Sequence, residues 1–226
     1  MRFRLFALFL FISCVTLAQS PFTEVPIATD SPVFVMTDDI NRDGNLDLLA
    51  VSLSAGTVSI LHGDGQGHFS MAPGSPISVG PDAIQVATGD FNQDGRTDIA
   101  VMRRLVTVNT GRGSGVSVFF GTASGFTPYS GNPLVGFGEG ISFFVRDVDA
   151  DGDLDILVMN GILPEMFPGD GTGNFGARTA VVSVGAYTDQ GAVGDLNGDG
   201  NVDLAILLTG RYGFRVWGAM LILVRP

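Results

Sequence analysis

Asp147-Val148-Asp149-Ala150-Asp151-Gly152-Asp153-Leu154-Asp155 places oxygen side chains on alternate residues and follows them with a glycine. A hard cation requires this of a short loop. The pattern returns at Asp39 to Asp47, Asp90 to Asp98 and Asp195 to Asp203, so the chain builds the same chemistry four times. Counting the first residue as position 1, side-chain oxygens stand at positions 1, 3, 5 and 9. They belong to Asp39, Asn41, Asp43 and Asp47; Asp90, Asn92, Asp94 and Asp98; Asp147, Asp149, Asp151 and Asp155; and Asp195, Asn197, Asp199 and Asp203. A backbone carbonyl at position 7, from Asn45, Arg96, Asp153 or Asn201, would complete each set. Calcium takes about six to eight oxygens, so each loop nearly encloses one ion and the chain is expected to hold up to four Ca2+.

Gly44, Gly95, Gly152 and Gly200 stand at position 6, where a sharp turn favours positive φ and a Cβ is expected to clash. Position 2 is apolar in every copy (Ile40, Phe91, Val148, Leu196), which suits a side chain pointing back into its own blade while its neighbours face the ion. An EF-hand would need glutamate at position 12, where this chain has Ala50, Val101, Val158 and Ile206. The loops are therefore not EF-hands, and apolar segments begin or continue where that glutamate would stand.

These loops also dominate the charge. Positions 1, 3, 5 and 9 hold 13 aspartates, over half of the 23 acidic residues, in a chain of formal charge -11. Such an acidic surface makes nucleic acid and anionic membranes poor partners. Without ions, each loop crowds like charges.

The elements that must position the loops are short. Of 226 residues 32 are glycine, and apolar runs of four or five residues alternate with tight turns, so the chain is expected to be all-β. Pro32-Val33-Phe34-Val35-Met36 leads into the first loop, Leu48-Leu49-Ala50-Val51 leaves it, and Thr57 to Leu61 returns to a turn, Gly63-Asp64-Gly65-Gln66-Gly67-His68-Phe69. The second unit repeats the plan and ends at Gly121-Thr122-Ala123-Ser124-Gly125-Phe126; the third ends at Gly169-Asp170-Gly171-Thr172-Gly173-Asn174-Phe175. Residues Arg103 to Gly115 are longer than their first-unit counterpart and predict an extended hairpin, with the Arg103-Arg104 pair solvated on it. The fourth unit has the loop and Leu204 to Leu208, then Arg215 to Val224, with no glycine turn.

A period near 50 residues with about four strands per unit is the mark of propeller blades. The repeats fall at about 28–77, 78–134, 135–184 and 185–226. The lone strand Phe22 to Ile27 would serve as the outermost strand of the fourth blade and close a four-bladed ring; the alternative is a piece of a larger propeller.

Met1-Arg2-Phe3-Arg4 followed by the apolar run Leu5 to Leu17 reads as a secretory signal over residues 1–18, cleaved after Ala18 or, less favourably, after Ser20. The run is too short for a membrane span, which needs about 20 residues. The mature chain is then residues 19–226, secreted, at the cell surface or periplasmic. Its charge becomes -13, because 12 basic residues fall to 10 against 23 acidic ones. Cys14 is the only cysteine; lipidation of Cys14 after Phe11-Ile12-Ser13 is the rival reading. A mature chain without disulfides needs another staple, and metal supplies one.

Asp90-Phe91-Asn92-Gln93-Asp94-Gly95-Arg96-Thr97-Asp98-Ile99-Ala100-Val101 and the turn Gly169 to Phe175 resemble the FG-GAP or VCBS repeats of calcium-dressed β-propellers, such as integrin α-subunit heads and many exported bacterial proteins. The resemblance covers about residues 22 to 210 and implies a β-propeller with calcium in its loops. Family members often have seven blades, so four is a departure.

Catalytic constellations are not evident. His62 and His68 flank one glycine turn and read as solvated. The chain contains no lysine, which excludes a phosphate-binding loop of the P-loop type. Paired carboxylates occur where calcium would consume them. The expected function is a non-enzymatic binding, adhesion or scaffold module for an extracellular protein or glycan. The alternative is the propeller domain of a secreted enzyme, a polysaccharide lyase or a phospholipase-like protein, as the resemblance allows.

Overall fold

The computed structural model describes residues 31–107, 111–137, 142–160, 163–182, 187–212 and 215–223. The predicted signal, Cys14 and the predicted strand Phe22 to Ile27 lie outside the described residues. Within them the chain is all-β and folds into four antiparallel sheets that follow one another along the sequence, as propeller blades do.

The first blade holds β1 (Pro32–Asp38), β2 (Asp47–Ser52), β3 (Thr57–Gly63) and β4 (Phe69–Met71) in that order, with β5 (Ile77–Ser78) also pairing with β3. The second is β6 (Ala83–Gly89), β7 (Asp98–Thr107), β8 (Gly111–Thr122), β9 (Gly125–Pro128) and β10 (Leu134–Phe137), the last two both pairing with β8. The third runs β11 (Ser142–Arg146), β12 (Asp155–Met159), β13 (Pro164–Phe167), β14 (Thr179–Ala180). The fourth has three strands among the described residues, β15 (Tyr187–Gly194), β16 (Asp203–Tyr212) and β17 (Arg215–Leu223).

The long hairpin is present: β7 and β8 pair from Ile99↔Phe119 out to Thr107↔Gly111. Arg103 departs from the solvated expectation. It is half-buried, and its guanidinium packs on Gly80, where a side chain would collide with it.

In the second and third blades the second strand is apolar on consecutive residues because both of its faces are covered. Leu49 and Val51 of β2 pack against Ile99 and Val101 of β7. The alternate residues Ala100 and Met102 turn the other way and meet Ile156 and Val158 of β12. Leu157 and Met159, from the opposite face of β12, meet Leu204 and Ile206 of β16. The period-two alternation of a strand thus assigns each residue to one of two interfaces, and three apolar layers lie between four successive blades. Burying one such side chain contributes about 1.5–3 kcal/mol.

Polar contacts add register between blades. Gln85 in β6 donates to the Phe143 carbonyl in β11 (3.0 Å) and accepts from its N–H (3.2 Å), while Thr88 donates to Asp38 of β1.

Candidate metal centres

Each candidate loop connects the first strand of a blade to its second: β1 to β2, β6 to β7, β11 to β12 and β15 to β16. All four sit at the same end of their blades. Their local fold follows from aspartate and glycine chemistry. The position 1 carboxylate accepts the backbone N–H groups of positions 5 and 6. The distances are 3.0 and 2.9 Å at Asp39, 3.1 and 2.9 Å at Asp90, 3.2 and 3.0 Å at Asp147, and 3.2 and 2.8 Å at Asp195. The position 5 carboxylate accepts from position 7, at 2.8 Å for Asp43, 2.8 Å for Asp94, 2.9 Å for Asp151 and 2.7 Å for Asp199.

Position 6 takes positive φ in every copy: Gly44 at 88°, Gly95 at 83°, Gly152 at 97° and Gly200 at 89°. The expected steric clash is absent. A Cβ at Gly44, Gly152 or Gly200 would meet nothing within 4 Å, and one at Gly95 would meet only the Arg42 guanidinium at 3.8 Å. Glycine is required there by the left-handed backbone alone. Position 4 is also left-handed in all four loops (Arg42 60°, Gln93 52°, Ala150 60°, Gly198 82°), a requirement the sequence signals only through Gly198.

Positions 1, 3 and 5 converge in the third loop, where carboxylate oxygens of Asp147, Asp149 and Asp151 lie within 4.8 Å of one another. Burial, then the negative charge of Asp151 and of Asp147, raises the pKa of Asp149. In the other loops an asparagine stands at position 3, and Asn41, Asn92 and Asn197 each donate to the position 5 carboxylate at 2.9, 3.2 and 2.8 Å. An asparagine there relieves the repulsion through its amide and still offers its carbonyl oxygen.

Position 9 behaves differently. Asp47, Asp98, Asp155 and Asp203 are buried, with 0–1% exposure, beneath their loops. One oxygen accepts from the position 2 N–H: Ile40 at 3.0 Å, Phe91 at 2.9 Å, Val148 at 2.8 Å and Leu196 at 2.8 Å. In the first three blades the other oxygen accepts from the glycine that opens the glycine turn, Gly63 at 2.9 Å, Gly121 at 2.7 Å and Gly169 at 2.8 Å. Burial raises the pKa of Asp98 to about 6 and pushes Asp155 up as well, against those bonds. Sequence spacing makes these aspartates candidate ion ligands; in the first three blades the structure makes them clamps between loop and turn. The signal for this is the co-occurrence of an aspartate at position 9 with a glycine 14 to 23 residues later.

That opening glycine cannot carry a side chain. A Cβ on Gly63, Gly121 or Gly169 would collide with the position 8 carbonyl of Leu46, Thr97 or Leu154. In blades one and three the turn is held by its own aspartate. Asp64 accepts from Gln66 (2.7 Å), His68 N–H (3.1 Å) and the His68 ring (2.7 Å); Asp170 accepts from Thr172 and Asn174, and these bonds hold both carboxyls down at about 2. His68 is thus an exposed turn residue, whereas His62, on β3, lines a cavity beside loop one.

Position 2 reaches into the next interface, as Ile40, Phe91 and Val148 pack in successive inter-blade layers. Leu196 does not: it is 53% exposed, because no blade follows the fourth among the described residues.

A chain of antiparallel blades whose first turns each carry an oxygen-rich, glycine-kinked loop is of the β-propeller repeat class. Residues 39–101, from the first loop through the strand that leaves the second, match the FG-GAP-like repeat. No curated protein matches the chain. Among solved structures, an Agrocybe aegerita lectin described for its recognition of non-reducing terminal N-acetylglucosamine matches at 16% identity and a TM-score of 0.37, over 81% of this chain. This chain covers 64% of that structure.

Proposed function

We propose that this chain is an exported, calcium-dressed propeller that works as a non-enzymatic binding, adhesion or scaffold module for an extracellular protein or glycan. The observation that carries the reading is the convergence of Asp147, Asp149 and Asp151 on one point of an all-oxygen loop whose backbone recurs in three further blades. The donor set is carboxylate, amide and carbonyl oxygen, which suits a hard cation and gives thiolate- or imidazole-seeking metals no ligand. Residues at positions 1, 3 and 5 and the position 7 carbonyl would hold the ion, with position 9 beneath it. Calcium there would neutralise charge that the loop otherwise contains only by backbone hydrogen bonds. The basic and apolar start of the sequence supports export, and no helix among the described residues is long and apolar enough to cross a membrane.

Two measurements test this. Extracellular calcium modules bind at about 10⁻⁴ to 10⁻³ M, so at about 1 mM ion each site contributes about 0.4–1.4 kcal/mol, and four together a few kcal/mol. Thermal unfolding in calcium should therefore lie clearly above that in EDTA, and coincident transitions would remove the calcium reading. A binding screen against matrix proteins and polysaccharides, with and without EDTA, tests the module reading. Silence in both conditions would count against it, and turnover of an anionic polysaccharide with calcium present, abolished by one substitution outside the loops, would favour the enzyme reading.

A further inference from the structure

The junction between blades one and two differs from that between blades two and three, and the difference is chemical. At the second junction the turn Gly169 to Phe175 fills the space beside the preceding loop: Gly173 N–H donates to the Phe91 carbonyl (3.1 Å), and the Phe175 ring meets Phe91 and Tyr129 at 5.5 and 5.7 Å. Position 4 of one loop is tied to position 7 of the next, Gln93 donating to Asp153 at 2.7 Å. At the first junction the corresponding turn, Gly121 to Phe126, is one residue shorter, and Thr122 stands where the other turns have aspartate. The tying pair is replaced by two arginines, Arg42 at position 4 and Arg96 at position 7.

A cavity of about 290 Å3 remains, just below the ~300–1,000 Å3 range of drug-sized ligand sites and large enough for one sugar residue. Arg42, Arg96 and His62 line it together with the apolar side chains of Ile60 and Phe126. No aspartate or glutamate does so, although the chain has 23 of them against 12 basic residues. Arg42 is anchored by Asp90 at 3.6 Å, an exposed pair that contributes little and leaves the guanidinium half in solvent. Both guanidinium groups line the one cavity, where an oxyanion could accept hydrogen bonds from each.

We infer that this cavity binds a sugar residue carrying an oxyanion, either a carboxylate, as in a uronic acid, or a sulfate ester. The inference rests on the reading of the chain as a binding module and deepens it. The arginine forks match the planar or tetrahedral oxyanion, and the partly exposed Phe126 offers an apolar face to one sugar ring. A ligand of that size fits where a folded partner would not enter.

The test is calorimetric titration of the full chain, in millimolar calcium, with galacturonate, galactose 6-sulfate, galactose and tri-aspartate. Saturable binding of a charged sugar and none of galactose is expected, and the preferred sugar tells carboxylate from sulfate. Arg42→Gln and Arg96→Gln should each weaken binding about tenfold with the melting temperature retained, while Arg146→Gln, on the third blade, leaves it unchanged. Equal binding of galactose, tighter binding of tri-aspartate, indifference to both arginine substitutions, or no binding of either charged sugar overturns the inference. If the wider screen finds a ligand while these sugars do not bind, the pocket assignment alone fails; if that screen is also silent, the module reading fails with it.

Discussion

At the scale of single residues, two kinds of aspartate share one motif. Asp94 lies at the surface and serves the loop's concave side; Asp98 is buried and bonded to Phe91 and Gly121. Asp98→Asn exchanges one acceptor oxygen for an amide that faces a backbone donor, leaving a buried N–H unpaired. It should destabilise the protein by about 1–3 kcal/mol in EDTA as well as in calcium. Asp94→Asn should leave the EDTA transition nearly unmoved and remove only the second loop's share of the stability that calcium adds. Denaturant titrations of both variants under both conditions separate the roles, and equal behaviour in EDTA would refute the distinction. The turn aspartates make a prediction in pH. Asp64 and Asp170 are held at about 2, below their ordinary value of 3.8, by bonds that need the carboxylate. Their stabilising effect is therefore complete above about 4 and is lost as pH falls toward 2. Carboxyl carbon NMR should show both titrating near 2, and ordinary values would mean that the turn bonds do not form in solution.

At the scale of elements, loop and glycine turn are one device, clamped by the position 9 carboxylate. Their glycines differ in purpose. Gly152 needs a left-handed backbone and has open space around it, whereas Gly169 has no room beside the Leu154 carbonyl. Gly152→Asn should then cost less than about 1 kcal/mol, since asparagine tolerates that conformation, while Gly169→Asn should cost about 1–3 kcal/mol from overpacking and lost clamping. Chemical denaturation reads both, and the reverse order would refute the assignment. This contrast shows where sequence reasoning reaches its end. The blades were legible because apolar runs such as Leu48 to Val51 and Ile156 to Met159 recur behind each loop, and because runs without alternation mean burial on both faces. The loops were legible through alternate oxygens. The clamp was not, since the carboxylate's second partner lies 14 to 23 residues away in another turn, and neither was the Cβ space at position 6, which depends on the room the folded loop leaves open. The basic cavity has no signature in the sequence because its arginines come from two loops and its emptiness from a turn one residue shorter.

At the scale of the whole molecule, stability is distributed over interfaces rather than over blades. In the first three blades the position 2 side chain is donated to the following blade, so the same position in the same motif has a different worth according to whether another blade covers it. Val148 is 7% exposed in the layer between blades three and four; Leu196, its equivalent one blade later, is 53% exposed. Leu207, on the fourth blade, is 41% exposed, in contrast to the fully buried Leu157 and Met159 of the third. Val148→Ala should therefore cost about 1–3 kcal/mol and Leu196→Ala less than about 0.5 kcal/mol, although leucine is the larger side chain. A comparable loss from Leu196→Ala would mean that this face is covered in solution, and the dependence of that loss on protein concentration would show by which partner. A loss that shrinks on dilution identifies a second copy, since mass action then removes the cover. A loss independent of concentration identifies a segment of the same chain, the arrangement expected if the predicted strand Phe22 to Ile27 joins the fourth blade and brings the two ends of the array together.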